Sequence, residues 1–419
     1  ILNIPFKRFM NTPFHMNKKF SLLAAPVLFF VIGFIVYYIT QPRVPDPFNY
    51  FNYLADAFLH GRLHVTGTPF YFEELIHRGG KSYTIYPPFP AVLLMPFIAV
   101  FGVSFKQVLL SFLLGGINIS LVYLLLSRLT AVRELRIWVT VLFGFGTVHW
   151  FTATVGSVWY FAQITSMTLM LLAVYCTLSA RNPLLIGLLL GASYWSRLPT
   201  ILTLPFFIIM LSYIDLPDRE SGLHIWRFRL KPVLLVCAGA GLFVLLNFLY
   251  NYVRFGSVLD TAYVIHSISP TKEKVSPWFN KGLFDLSYIR YHLYILFLQP
   301  PVFIDKWPYI IPSKVGLSIL ITTPAFIFAL FAGIRNRLSL ACGSAIIPTA
   351  FLIFIKSGTG WTQFGYRYAL DFYPFLLVLT LKGIGAELKW YHKALIILSV
   401  LVNLWGVLFL NIFEWYNLY

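Results

Sequence analysis

Residues 87–103 read PPFPAVLLMPFIAVFGV, an apolar run opened by three prolines and interrupted by a fourth at Pro96. Whether this run crosses a membrane decides the orientation of everything after it. Proline breaks a helix from within, so only about 15 residues are usable, short of the roughly 20 that cross a hydrocarbon core. The run is therefore read as a juxtamembrane helix lying on the outer surface. Laid flat, it leaves Arg128, Arg133, Arg136, Arg181, Arg219, Arg227, Arg229, Lys231, Arg335, Arg337, Lys382, Lys389 and Lys393 on the cytoplasmic side with the basic N-terminus, as the positive-inside rule requires. Were it to cross, all thirteen would move outside.

On either side of this run, apolar stretches recur along nearly the whole chain. Candidate spans are 21–40, 107–127, 135–152, 161–180, 183–196, 198–214, 232–252, 315–334, 338–355, 368–386 and 393–412, predicting an all-α polytopic membrane protein with about eleven transmembrane helices. The 419 residues are 58% hydrophobic and 11% charged, with a mean hydropathy of +0.76, leaving no soluble domain over. The chain reads as one domain over 1–419, with a cytoplasmic N-terminus at 1–20. Lys18 and Lys19 precede the first span, which is too long for a signal-peptide core and ends in Tyr37, Tyr38 and Gln41 rather than small residues. Met16 has the look of a translation start, so residues 1–15 are expected to have no role in the fold.

The net charge of +17 comes in short clusters between apolar spans, which argues for loops at a membrane and against a nucleic-acid partner. Cys176, Cys237 and Cys342 all lie within apolar spans and read as core residues. The outer side carries a loop at 41–106, a short one at 153–160, the turn at 196–198, a second long loop at 253–314 and a segment at 356–367. Juxtamembrane helices are expected in the first and fourth of these. Long loops in a tightly connected membrane protein are usually functional, and these two, rich in aromatics and proline, are expected to form a lid.

Only 15 residues are acidic, so each outer-face acid is informative. Asp46 follows the first span, and Asp46, Tyr50, Tyr53, Leu54, Ala57, Phe58 and Gly61 are spaced as one face of an amphipathic helix with Asp46 at its start. Its simplest role there is an N-cap. Asp56, ten residues on, cannot share a proton or metal with Asp46 on such a helix and reads as a structural partner for an arginine or amide. Trp195-Ser196-Arg197-Leu198-Pro199 sets one cation between two short spans, where it needs an anionic or carbonyl partner. Arg367 and Asp371, four residues apart, suit a helix-anchoring ion pair. Either arginine at headgroup depth would also suit a lipid-linked phosphate, and Arg197, with no acid near it in sequence, is preferred. The isolated outer carboxylates argue against a metal site, and His149 at a helix end reads as structural.

Taken together, Asp46, Tyr50, Gly61 and Tyr83-Thr84-Ile85-Tyr86-Pro87-Pro88, in this order after a first span, resemble the GT-C superfamily of integral membrane glycosyltransferases. The chain is most similar to the bacterial branch of lipid A aminoarabinose transferases and relatives of protein O-mannosyltransferases. Beyond residue 215 the likeness is architectural only. The resemblance implies a GT-C fold in a bacterial plasma membrane, with the active site facing the periplasm or exterior. It also implies inverting, metal-independent transfer of a sugar from a polyprenyl-phosphate donor, needing no cofactor. Asp46 would be the base, and Arg197 would contact the lipid phosphate. Where that branch has a lysine before the two prolines this chain has Tyr86, so phosphate binding would lean on Lys81, Arg197 or Arg367, with Tyr50 and Tyr86 alongside. Tyr291, His292 and Trp307 in the 253–314 loop are expected on the acceptor side, the acceptor being a glycan, glycolipid or protein. The competing classes are a transporter or lipid flippase, for which no inverted repeat is evident, and a scaffold.

Overall fold

The computed structural model describes residues 16–217, 224–259, 261–267, 280–360 and 362–414, and these are mostly helical. α1 (Met16–Ile39) leads into a first long loop holding α2 (Tyr50–Leu59), a hairpin of β1 (Leu75–Arg78) and β2 (Lys81–Thr84), and α3 (Phe89–Phe101). There follow α4 (Gln107–Ser127), α5 (Arg133–Phe145), α6 (His149–Val155), α7 (Val158–Leu178), α8 (Pro183–Tyr194), a 3-10 segment Leu198–Thr203 continuing as α9 (Leu204–Ser212), a hairpin of β3 (Tyr213–Pro217) and β4 (His224–Phe228), and α10 (Leu230–Phe255). The second long loop holds α11 (Ala262–Ser267), α12 (Ile289–Phe297) and a short hairpin of β5 (Val302–Phe303) and β6 (Ile310–Ile311). The chain ends with α13 (Ile319–Thr322) and the 3-10 helix Pro324–Phe331, α14 (Arg337–Phe354), the 3-10 turn Arg367–Phe372 with α15 (Tyr373–Ile384), and α16 (Trp390–Val407) with a π turn at Leu408–Ile412.

Five of these helices are long and apolar enough to cross a membrane: α4, α7, α10, α14, and α16 extended to Ile412. α5 and α6, bent by 47° at their junction, would make a sixth. The expected first span falls on the 24-residue α1, and the stretches at 183–196, 198–214, 315–334 and 368–386 are shorter or interrupted, with proline the recurrent cause. Pro324 opens a 3-10 helix after a non-helical Thr323, Pro199 sits in the first turn after an extended Arg197, and Pro374 in the first turn of α15, where a 3-10 turn gives way to α-helix. α4 and α7 are 67% and 78% buried over their apolar windows, so they form the centre of the bundle, while α10, α14 and α16, at 28–39%, present most of their surface outward. The outward faces carry residues such as Leu245, Ile347 and Leu401, as lipid-facing helices do.

Two close approaches fix the packing. A Cβ on Gly187 of α8 would lie 2.2 Å from the Val236 carbonyl oxygen of α10, and one on Gly239 would lie 2.6 Å from the Leu184 carbonyl. This is the small-residue contact by which membrane helices gain dispersion energy, since lipid gives them no hydrophobic drive to associate. At the basic end of the bundle Lys393 pairs with Glu134 at 2.6 Å, and the Arg337 guanidinium donates to the Ile209 carbonyl at 2.7 Å, using carbonyls left open where α9 ends.

The described residues are mostly helical, as expected of an all-α membrane protein, and the strands among them form three short two-stranded antiparallel hairpins. β1 and β2 are joined by Gly79-Gly80, both at positive φ, the left-handed geometry that a tight hairpin turn requires and that glycine alone adopts without strain.

Candidate functional site

One end of the helix bundle and both long loops surround a cavity of about 3040 Å³. Asp46 lies on its wall, but not at the start of a helix. The chain from Asp46 to Asn49 is non-helical, α2 begins at Tyr50, and its N-cap is Asn49, without a side-chain bond. Pro45 and Pro47 flank Asp46, and proline biases the residue before it away from the helical region. Asp46 Oδ1 instead accepts from the Phe48 amide at 2.9 Å, closing a local turn. The segment is tied down from both sides: Val158 N donates to the Phe48 carbonyl at 2.9 Å, and Val44 N donates to Glu414 Oε1 at 3.1 Å. Asn411 Nδ2, 2.9 Å from both the Thr40 carbonyl and Thr154 Oγ1, fastens the end of the last helix to the same corner.

Asp46 is half-buried, and this burial raises its carboxyl pKa above the ordinary range. The Phe48 amide, the nearby Ser157 hydroxyl and the Arg367 charge oppose that shift. Such a carboxylate is a stronger base than one in water and is positioned to take a proton. Asp56 has the structural role expected of it, paired with Arg62 at 3.1 Å.

The two cavity arginines exchange the roles that sequence spacing suggests. Asp371 does not pair with Arg367 four residues earlier. It takes a two-pronged contact from Arg197, with Nε to Oδ1 at 3.1 Å and Nη2 to Oδ2 at 2.7 Å. The reason is local: Arg367–Phe372 is a 3-10 turn, not α-helix, so the i, i+4 relation does not bring the two side chains together. Arg197 thus has its anion within the fold. Arg367 is 5% exposed, yet its Nε and Nη1 have no hydrogen-bond partner among the described residues. It lies 4.5 Å from the Tyr160 ring centre and 5.6 Å from that of Tyr368. Its backbone is held by Gln163 of α7, which donates to the Arg367 carbonyl at 3.0 Å.

Around Tyr368 stand three cations: Arg197 at 5.4 Å, Arg367, and Lys356 Nζ at 5.7 Å. Lys356 donates to the Ser357 carbonyl and reaches no carboxylate among the described residues. Glu74 and Trp159 line the wall beside Asp46, with Trp159 Nε1 donating to Glu74 Oε2 at 2.9 Å and the Phe48 ring 5.2 Å from the indole. Neither composition nor spacing singles out Lys356, Tyr368 or Trp159, and by sequence Glu74 is only an isolated acid. The available signal was the grouping of such residues at the ends of adjoining spans.

Of the other expected site residues, Tyr86 and Tyr291 line the cavity, and the buried Tyr86 hydroxyl has no hydrogen-bond partner among the described residues. Tyr50 does not line it. It stacks on Phe72 at 3.8 Å, takes the Glu74 amide on its hydroxyl at 3.2 Å, and burial pushes its pKa up to about 12. Lys81 is exposed on β2, off the cavity, and Trp307 is 70% exposed on the hairpin tip, also off it. His292 is fully buried, 2.6 Å from the Tyr366 hydroxyl and 2.8 Å from the Lys356 carbonyl, and burial lowers its pKa to about 4. It therefore acts as a neutral strut between α12 and the segment carrying Lys356 and Arg367. His149 is likewise internal, bonded to Tyr37 and Asn118 where α5 meets α6. Among the described residues no group of three His, Cys, Asp or Glu side chains could hold a metal ion.

In comparison with known proteins, neither a protein-family model nor a curated protein matches the chain.

Proposed function

We propose that this chain is an integral membrane glycosyltransferase that moves a sugar from a polyprenyl-phosphate donor to an acceptor at the outer face of a membrane. The observation that carries the reading is the pairing, in one cavity, of a raised-pKa carboxylate at Asp46 with a buried, unsatisfied guanidinium at Arg367. A buried guanidinium with two nitrogens that make no hydrogen bond among the described residues is costly, and an anion bound in the cavity would satisfy it. A phosphate offers the paired oxygen acceptors that a guanidinium fits. Lys356 adds a second charge, while Arg197, committed to Asp371, shapes the wall.

In this reading Asp46 takes the proton from an acceptor hydroxyl, and the acceptor oxygen forms its bond to the anomeric carbon from the face opposite the phosphate. The carbon–oxygen bond to phosphate breaks with its electron pair, leaving a phosphate with one more negative charge and an inverted centre. Arg367 and Lys356 stabilise the charge that develops there, so the reaction calls on no metal or cofactor. The partners are membrane lipid, the lipid-linked donor and a glycan, glycolipid or protein acceptor. The shorter apolar segments, including α8 and the 198–212 stretch, would cross in company with the five long helices to give eleven crossings of GT-C type, with basic loops inside. By resemblance the membrane is a bacterial plasma membrane.

The test is sugar release from a panel of radiolabelled polyprenyl-phosphate sugars by purified protein, comparing wild type with Asp46→Asn and Arg367→Gln. Turnover by wild type and loss in both variants is expected. Equal turnover in Asp46→Asn would remove it as the base, and no turnover on a full panel supplied with acceptors would remove the reading.

A further inference from the structure

We propose that Trp159 is the platform on which the sugar ring of the donor lies, a pyranose held by one of its C–H faces. The inference rests on the glycosyl-transfer reading above and adds to it a sugar-binding residue. The Trp159 side chain is half-buried and lines the cavity, as do Asp46, Phe48, Glu74 and Arg367. Its one polar atom is engaged, because Nε1 donates to Glu74 Oε2 at 2.9 Å. The Phe48 ring packs beside it at 5.2 Å, tilted by 55°. What the indole offers the cavity is therefore apolar aromatic surface held at one angle.

Its place follows from the first turn of α7, which has Ser157 as its N-cap. The Ser157 hydroxyl lies beside the Asp46 carboxylate, and Val158 N donates to the Phe48 carbonyl at 2.9 Å, so this turn holds the segment that carries Asp46. One residue after Trp159, the Tyr160 ring centre lies 4.5 Å from the Arg367 guanidinium, and the Tyr160 hydroxyl donates to the Thr362 carbonyl at 2.8 Å. A single helical turn thus sets the distance between the group that takes the acceptor proton and the group that meets the phosphate, with Trp159 between their supports. Transfer with inversion puts the acceptor oxygen and the departing phosphate on opposite faces of the anomeric carbon, so the sugar ring lies between Asp46 and Arg367.

A pyranose has the matching chemistry. The hydrogens on its C–H face carry slight positive charge, and the face of an aromatic ring is their negative complement. Its hydroxyls project from the ring edge, and small-molecule pockets pair a broad apolar wall with a few placed polar groups. Trp159 supplies the wall, and the Glu74 carboxylate that orients the indole lies at its edge. Neither contact involves the phosphate, so loss of the indole weakens the sugar ester and spares the bare lipid phosphate.

The test is calorimetric titration of the full chain in detergent with a short-chain polyprenyl phosphate and with its glucosyl, mannosyl and galactosyl esters. For the ester that wild type binds most tightly, Trp159→Leu is expected to weaken binding by about tenfold and the bare phosphate by less than about twofold, with Trp159→Phe recovering most of the loss. The emission lost on Trp159→Phe isolates Trp159 in the wild-type protein, and that component is expected to change on adding the ester but not the bare phosphate. An ester that leaves this emission unchanged, or equal weakening of ester and phosphate in Trp159→Leu, overturns the platform. Arg367→Gln is expected to weaken both ligands. If it weakens neither, the phosphate site of the transferase reading is wrong, while the platform is still judged on the ratio of ester to phosphate binding in Trp159→Leu. Wild type that binds none of the esters removes both.

Discussion

Arg197 and Arg367 face one cavity, and neutralising Arg197 is expected to cost stability that neutralising Arg367 does not. Arg197→Gln leaves the Asp371 carboxylate, 2% exposed, without its cation. Breaking a buried pair from one side costs about 3–5 kcal/mol, and because the Arg197 side chain is 17% exposed to the cavity the lower end applies. For a chain of this length the unfolding entropy is roughly 0.9 kcal/mol/K, so about 3 kcal/mol corresponds to a fall of about 3–4 °C in Tm. Arg367→Gln removes a buried cation whose two orphan nitrogens carry a penalty of about 1–3 kcal/mol, against a lost cation–π contact with Tyr160 of about 1–2 kcal/mol. Its Tm should stay within about 1 °C of wild type or rise. Tryptophan-monitored melting in detergent measures both, and adding Asp371→Asn to Arg197→Gln should restore most of the loss, since it removes the stranded charge. A fall in Arg367→Gln as large as that in Arg197→Gln would refute the assignment of the paired and unpaired roles.

Three further outcomes follow from the same geometry. Because burial raises the Asp46 pKa, the folded protein holds a proton that the unfolded chain has released between the ordinary and the raised value, so this group's contribution weakens stability as pH climbs through the folded pKa. Asp46→Asn should therefore raise Tm at neutral pH while abolishing transfer, and wild-type transfer should fall on acidification at a pH above the ordinary aspartate range; a lower Tm in the variant would contradict this. Gly187→Leu, driven against the Val236 carbonyl, should lower stability by about 3 kcal/mol in a detergent melt, whereas Gly241→Ala on α10, with nothing within 4 Å of its new Cβ, should be neutral or stabilising. Lys81→Ala, at an exposed hairpin position off the cavity, should leave both transfer rate and Tm unchanged, within about 0.5 kcal/mol for stability.

The long spans were legible in the sequence because crossing hydrocarbon imposes length and apolarity on a contiguous run, as at Gln107–Ser127 and Val158–Leu178. Interrupted stretches were less so. Thr323-Pro324 splits a run whose hydropathy is continuous, because hydropathy does not register a missing backbone donor. The cavity position of Asp46 was also legible, since the chain leaving the first apolar helix has few places to go. Its capping role was not: prolines on both sides make the segment extended, and the periodicity from Tyr50 onwards was carried back four residues too far.

The sequence by itself determined that the protein is a helical membrane protein, which runs carry basic ends, and that Asp46, Arg197, Arg367 and Tyr86 belong to one end of the bundle. Only the tertiary structure decided which charge meets which. Asp371 lies four residues from Arg367 and 174 from Arg197, yet its carboxylate belongs to the distant arginine, because backbone geometry in a 3-10 turn separates near neighbours while helix packing joins remote ones. The tertiary structure likewise sets His292 inside and Trp307 outside, since burial in a loop depends on what packs above it and not on the residue's own polarity.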